Sequence, residues 1–259
     1  MFGRKKKITM QKLNKFNKIM AVLHAVQALV IVMIATDFKL PVTTNFLRFE
    51  AKSQRLVSDS TKIFDMPFAW LVISFLVMSS LAHLIISTVY RKKYESNLRK
   101  GINKARWIEY SLSASTMMVA IGMLSGIYDI STLILMFSLT AGMNLMGLVM
   151  EKWNQGADKP NWLSYWIGCF LGVMPWVVYV LYLWASSHYG GAKPPTFVYY
   201  ILGSIFLMFN TFAINMVLQY KKVGKWSDYL YGERAYIVLS LVAKSLLAWQ
   251  VFAGTLRPN

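Results

Sequence analysis

Long apolar stretches constrain this chain more than any other feature. Seven of them, at residues 19–36, 66–90, 107–128, 130–150, 162–186, 197–220 and 235–256, come close to the roughly 20 mostly apolar residues that a helix needs to cross a bilayer. A helix pairs all its own backbone groups, so it can stand in hydrocarbon where an open sheet edge cannot. Only Asp129 parts the third and fourth stretches. As one helix they would reach roughly 66 Å at about 1.5 Å per residue, about twice the hydrocarbon thickness. Two helices and a tight turn are expected there. The predicted fold is an all-α membrane protein, a rhodopsin-like bundle of seven transmembrane helices in a single domain, residues 1–259. No small-residue cleavage site follows the first stretch, which is therefore read as a permanent helix.

Composition agrees. Hydrophobic residues make up 56% of the chain and charged residues 15%, against about 45–50% and about 25% in soluble domains. The formal charge of +17 does not indicate nucleic-acid binding, because the basic residues sit in short runs between apolar stretches rather than along a folded surface. The single cysteine, Cys169, excludes an intrachain disulfide and reads as a small buried hydrophobe. No Cys/His spacing suits a metal.

Basic residues give a direction. The segment through Lys18, the loop from Arg91 to Arg106, and the runs at Lys152/Lys159 and Lys221–Arg234 put twenty Lys and Arg on one side. Seven lie on the other: Lys39, Arg48, Lys52, Arg55, Lys62, Lys193 and Arg257. The richer side is cytoplasmic by the positive-inside rule. The expected N-terminus is therefore cytoplasmic, the C-terminus extracellular, and the protein a multi-pass resident of the cell (plasma) membrane. The loop at 37–65 is external, and Thr43, Thr44, Phe46, Leu56 and Val57 permit a short strand or hairpin in it. The basic N-terminus is topogenic charge beside anionic membrane lipid, or a binding tail.

One basic residue lies outside both groups. Lys244 is ten residues after Arg234 and thirteen before Arg257, roughly 15 Å into the last helix. An amine at that depth costs at least ~2.5–3.5 kcal/mol on insertion scales. It must face the bundle and be neutralised, paired or covalently modified; a structural ion pair is the plain alternative to a function. Glu109 is the acidic residue that enters a span, three positions after Arg106, and an interfacial Arg106–Glu109 pair is equally open at this point. His24 and His83 fall at similar depth on the first two helices and form, with Glu109, a candidate polar cluster. Beyond Lys244, the other half of the bundle holds no carboxylate, histidine or amine.

A lone lysine at the centre of a seventh helix suits a retinal protein, in which the amine condenses with an aldehyde to a Schiff base. At residues 232–250, GERAYIVLSLVAKSLLAWQ, and 106–115, RWIEYSLSAS, the chain resembles the heliorhodopsins. Supporting pieces are FNTFA at 209–213, Glu151–Lys152, Pro175–Trp176 and KWS at 225–227. The resemblance covers the whole chain, including the inverted direction and the long first external loop. It implies all-trans retinal bound covalently to Lys244, Glu109 as counterion, Ser240 hydrogen-bonded to the Schiff base, and His24 and His83 in a cytoplasmic-side cavity. It also implies that the third helix begins before Arg106. Trp166, Trp176, Phe209, Met143 and Gly147 are the residues it offers for the pocket. Trp107, Trp162 and Tyr165 are read as interfacial belt residues. A homodimer is expected from the family.

Four functions then compete. A retinal photoreceptor would pass a light-driven change to an unknown signalling partner, expected on the cytoplasmic side. A proton pump needs acids on both sides of the Schiff base, but Ser113, Ala120 and Ser240 stand where pumps carry carboxylates or where an acid would extend the path. A light-gated channel, or a light-regulated modulator of a membrane or cytosolic partner, is the alternative. The fourth is a membrane enzyme or transporter unrelated to light, which no nucleophile–base pair, metal motif or phosphate loop supports.

Overall fold

The computed structural model describes residues 8–191 and 193–256; the basic run at 4–7 and Arg257 lie outside them. The elements are α1 (Met10–Ile34), the strands β1 (Lys39–Glu50) and β2 (Arg55–Pro67), α2 (Phe68–Ser87), α3 (Arg91–Arg99), α4 (Lys104–Leu124), α5 (Ile130–Trp153), α6 (Leu163–Tyr189), α7 (Thr196–Tyr220) and α8 (Tyr229–Val251). A 3-10 turn (Gly224–Ser227) precedes α8, and a π-helical turn (Phe252–Leu256) follows it.

Among the described residues, six helices, α1, α2, α5, α6, α7 and α8, are long and apolar enough to cross a membrane. Their outward faces carry large apolar side chains such as Met33, Leu135, Trp166, Val180 and Leu207, each more than half exposed. A continuous apolar exterior of this kind belongs against lipid. α4 differs. Lys104, Arg106, Glu109 and a row of serines lower its apolarity, yet more than half of its 21 residues are buried. It packs against α2 and α5, so its polar groups meet protein rather than hydrocarbon.

Caps mark several helix starts. Thr9 accepts from Lys12 N–H, Asn103 from Arg106 N–H, Asp129 from Thr132 N–H and Asp228 from Leu230 N–H. Each side chain satisfies one of the backbone donors that a helix start leaves free. Asp129 also makes the tight turn between α4 and α5, where Gly126 takes a left-handed φ of 90°.

The stretch expected to permit a short strand or hairpin is a two-stranded antiparallel hairpin, with strands of 12 and 13 residues paired from Lys39↔Pro67 to Glu50↔Arg55 and one bulge at Val42/Thr43. It docks on the bundle through Thr43 N–H, which donates to Tyr128 O at 2.9 Å, and Asn45 Nδ2, which donates to Asp129 Oδ1 at 3.3 Å. The N–H and hydroxyl of Thr36 both donate to Leu256 O, at 2.9 and 3.2 Å, tying the end of α1 to the last turn. The loop expected at 91–106 instead contains α3, whose Tyr94 and Leu98 pack with Leu13 of α1 and Ile237 of α8. These contacts define a hairpin end and an α3 end of the bundle.

Candidate functional site

Lys244 lies in the second half of α8 and is 3% exposed. Its Nζ donates to Glu109 Oε1 and to Ser240 Oγ, both at 2.8 Å. Ser240 stands one helical turn earlier, so helix geometry alone puts its hydroxyl on the same face. Glu109 reaches the amine from α4 and accepts a second bond from Ser79 Oγ of α2 at 2.6 Å. The ring of Tyr110 is 5.1 Å from Nζ and offers it a π face. The pair therefore carries hydrogen bonds beyond its mutual charge, which a buried pair needs to offset its desolvation. The alternative Arg106–Glu109 pair is not formed: Arg106 turns to other acids.

On one side of Lys244 opens a cavity of about 350 Å³. Its walls come from α4, α5, α6, α7 and α8, and of their charged residues only Lys244 contributes. Trp176, Phe209, Met143 and Gly147 line it, as do Ser240 and Lys244. Trp176 meets Tyr179, Phe206 and Phe209 edge-on, with centroids 5.2–5.8 Å apart. Such crossed rings make a stiff apolar wall.

Trp166 requires a correction. It is 65% exposed and absent from the cavity wall. The α6 residues that do line the cavity are Ser164, Tyr165, Gly168, Cys169, Gly172, Val173 and Trp176, one face at helical spacing. Trp166 lies off that face. Tyr165 and Trp107, read as belt residues, belong to the wall instead, with Tyr110 and Phe212. Cys169 is half-buried on the wall rather than sealed in the core.

A smaller cavity of about 30 Å³ lies toward the α3 end, lined by Glu109, His83, Asn17, Tyr94, Asn103 and Arg106 among others. It has the room and the polar partners to hold water. His83 Nδ1 shares a 2.9 Å hydrogen bond with Asn17 Oδ1, and Asn17 Nδ2 reaches Tyr94 Oη at 3.5 Å. Burial pushes the Tyr94 phenol of α3 up, so it stays neutral. His24 stacks on His83 with centroids 5.9 Å apart and planes 7° from parallel. It is fully buried, and neither of its nitrogens has a partner among the described residues.

Beyond that cavity stands a charge cluster that residue-by-residue reading did not anticipate. Arg106, counted as a loop charge, is 7% exposed and bridges Glu151 of α5 and Glu233 of α8. Asn103 also binds both acids, by its N–H to Glu151 Oε2 at 2.8 Å and by Nδ2 to Glu233 Oε2 at 2.7 Å. Trp107 Nε1 and Tyr229 Oη donate to Glu151 at 2.7 and 3.2 Å. The guanidinium lies over the rings of Tyr236 and Trp107, at 3.9 and 4.5 Å. A planar fork serves two carboxylates and two ring faces at once, which an ammonium cannot do.

The residues present suit a retinal chromophore. A buried amine with its own carboxylate faces an apolar, aromatic cavity within the roughly 300–1,000 Å³ range of small-molecule pockets. Comparison with known proteins agrees. The chain is similar in fold to the crystal structure of cyanorhodopsin from the cyanobacterium Tolypothrix sp., with a TM-score of 0.55 at 12% identity over 96% of this chain and 95% of that one. No curated protein is significantly similar in sequence. The heliorhodopsin family profile matches residues 13–256. The chain belongs to the heliorhodopsin family.

Proposed function

We propose that this light-sensing retinal protein holds all-trans retinal on Lys244 as a protonated Schiff base and works as a photoreceptor without net ion pumping. The observation that carries the reading is the Lys244 amine, buried, 2.8 Å from Glu109 and open to the aromatic cavity. Retinal, when bound, supplies a conjugated polyene that absorbs visible light and isomerises. The chain's own residues do the rest. Lys244 gives the nitrogen, and Glu109 neutralises its charge. Ser240 and Ser79 hold the pair in place. Trp176, Phe209 and Met143 confine the polyene and keep water out.

In this reading α4 is the seventh membrane span, its polar groups shielded by α2 and α5. The α3 end is cytoplasmic, since Lys12, Lys15 and Lys18 of α1 and the basic residues of α3 are exposed there. The protein is then a plasma-membrane homodimer whose signalling partner meets the cytoplasmic end. His24 and His83 tune the small cavity. The two stacked imidazoles lie on that side of Lys244 only. Among the described residues, the wall of the large cavity has no carboxylate and no histidine.

Two results are expected. Glu109→Gln removes the negative charge beside the Lys244 nitrogen and shifts the absorption maximum of the retinal-loaded protein; an unchanged spectrum would leave Glu109 a purely structural role. Oriented vesicles containing the loaded protein show no sustained pH change on illumination. A steady, protonophore-sensitive change would establish pumping. A photocurrent reversing with membrane potential would establish a channel. Either would overturn the sensory reading.

A further inference from the structure

Trp107 belongs to two places at once. Its ring is part of the wall of the large cavity, and its Nε1–H donates to Glu151 Oε2 at 2.7 Å in the charge cluster at the α3 end. The indole lies along α5 across Gly147 and Glu151, which are one helical turn apart. A Cβ on Gly147 would collide with the ring. Glycine there is what allows one side chain to touch both the cavity and the acid.

Glu151 is in turn the fastening point of the α3 end. Arg106 links it to Glu233 of α8, Asn103 to the loop before α4, and Tyr229 to the start of α8. The preceding residue, Met150, accepts from Tyr220 of α7 at 3.2 Å and from Asn154 Nδ2 at 2.9 Å. Asn154 then holds the next loop, accepting from Asn161 N–H at 2.6 Å and donating to Asn161 O at 3.1 Å. A displacement of the indole therefore acts on one bond of the acid to which α4, α5, α8 and the adjoining loops are tied.

The geometry points to Trp107 as the residue that couples the cavity to the loops at the α3 end, by making or releasing its hydrogen bond to Glu151. The inference rests on the retinal reading and adds the route by which that site is heard. Coupling of this kind is reciprocal, so cavity occupancy must alter the order of the loops. Removing the N–H leaves Glu151 with Arg106, Asn103 and Tyr229 as donors, so Trp107→Phe should still fold. Tyr110→Phe is the control. It also removes a hydrogen bond from the cavity wall, Tyr110 Oη to Tyr236 O at 2.9 Å, but one that does not end on Glu151.

Hydrogen exchange at residues 154–162 is measured for wild type, Trp107→Phe and Tyr110→Phe, each retinal-free and retinal-loaded. In wild type the two states differ by about fivefold or more, the lower range of allosteric coupling. The ratio falls to near one in Trp107→Phe and persists in Tyr110→Phe, each loaded state being read in protein whose visible band reports the bound chromophore. A purely structural role for Trp107 would shift both states alike and preserve the ratio, which would overturn the inference. So would a wild-type ratio of one in protein that has formed its visible band. A wild type that forms no band would overturn the retinal reading, and this inference with it. Should Trp107→Phe fail to load, light-minus-dark infrared spectra of wild type with isotope-labelled tryptophan decide the matter. A shifted indole N–H band together with a shifted carboxylate band supports the route; unchanged bands overturn it.

Discussion

Lys244→Ala abolishes the visible absorption band that wild-type protein acquires with all-trans retinal. Lys244 contributes the cavity wall's one amine, and Nζ is already positioned by Glu109 and Ser240 at 2.8 Å each. No other lysine or arginine among the described residues lines that space. The substitution also leaves Glu109 buried without its cation, a change that by itself can cost on the order of 3–5 kcal/mol. Lys244→Ala combined with Glu109→Gln removes both charges and keeps the comparison fair. A red-shifted, covalently bound band surviving in the double variant would place the attachment elsewhere.

Arg106→Gln is expected to have the largest effect on stability. The guanidinium is buried, binds carboxylates on two other helices, and lies against Trp107 and Tyr236. Taking it away leaves two buried acids without their cation, at a cost of about 3–5 kcal/mol. Thermal loss of the visible band follows the unfolding. Arg106→Lys should recover little, because an ammonium lacks the fork that spans both acids. Adding Glu151→Gln and Glu233→Gln to Arg106→Gln should recover much of the loss by removing the unpaired charges. A single variant within ~1 kcal/mol of wild type, as for exposed pairs, would show that the cluster is solvated and unimportant to stability.

The parts of this architecture that were legible in the sequence are those that lipid dictates. Hydrocarbon demands about 20 apolar residues per crossing, so the spans announce themselves, and Lys244 stands out because it violates that demand. What stayed hidden depends on neighbours distant in the chain. Arg106 looks like one more basic loop residue until Glu151 and Glu233, 45 and 127 positions away, are brought to it. Trp107 and Tyr165 resemble interfacial aromatics by position, and only the packing of α4, α5 and α6 turns them toward the cavity. Trp166 differs from Tyr165 by one residue, about 100° around the helix, a rotation that span prediction does not resolve. α3 left a local trace: Tyr94 and Leu98 are four apart, and Glu95 pairs with Arg91 and Arg99 at the same spacing. Its basic residues masked that pattern as loop charge. The hairpin's strands carry apolar and polar residues on both faces, so strict alternation was missing.

The bond between Thr36 and Leu256 sets an order of events for biogenesis. Its two ends are 220 residues apart. At about 5–20 residues per second, the ribosome makes the second end roughly 10–40 s after the first. The hairpin needs no such delay, and Phe68 N–H reaches Phe38 O as soon as β2 is out. The first two helices can thus pair early through their own connector, while the flank of α1 that receives the last helix waits open for most of translation. Whatever shields that flank in the meantime, lipid or an insertion factor, must leave before the ring of helices can close.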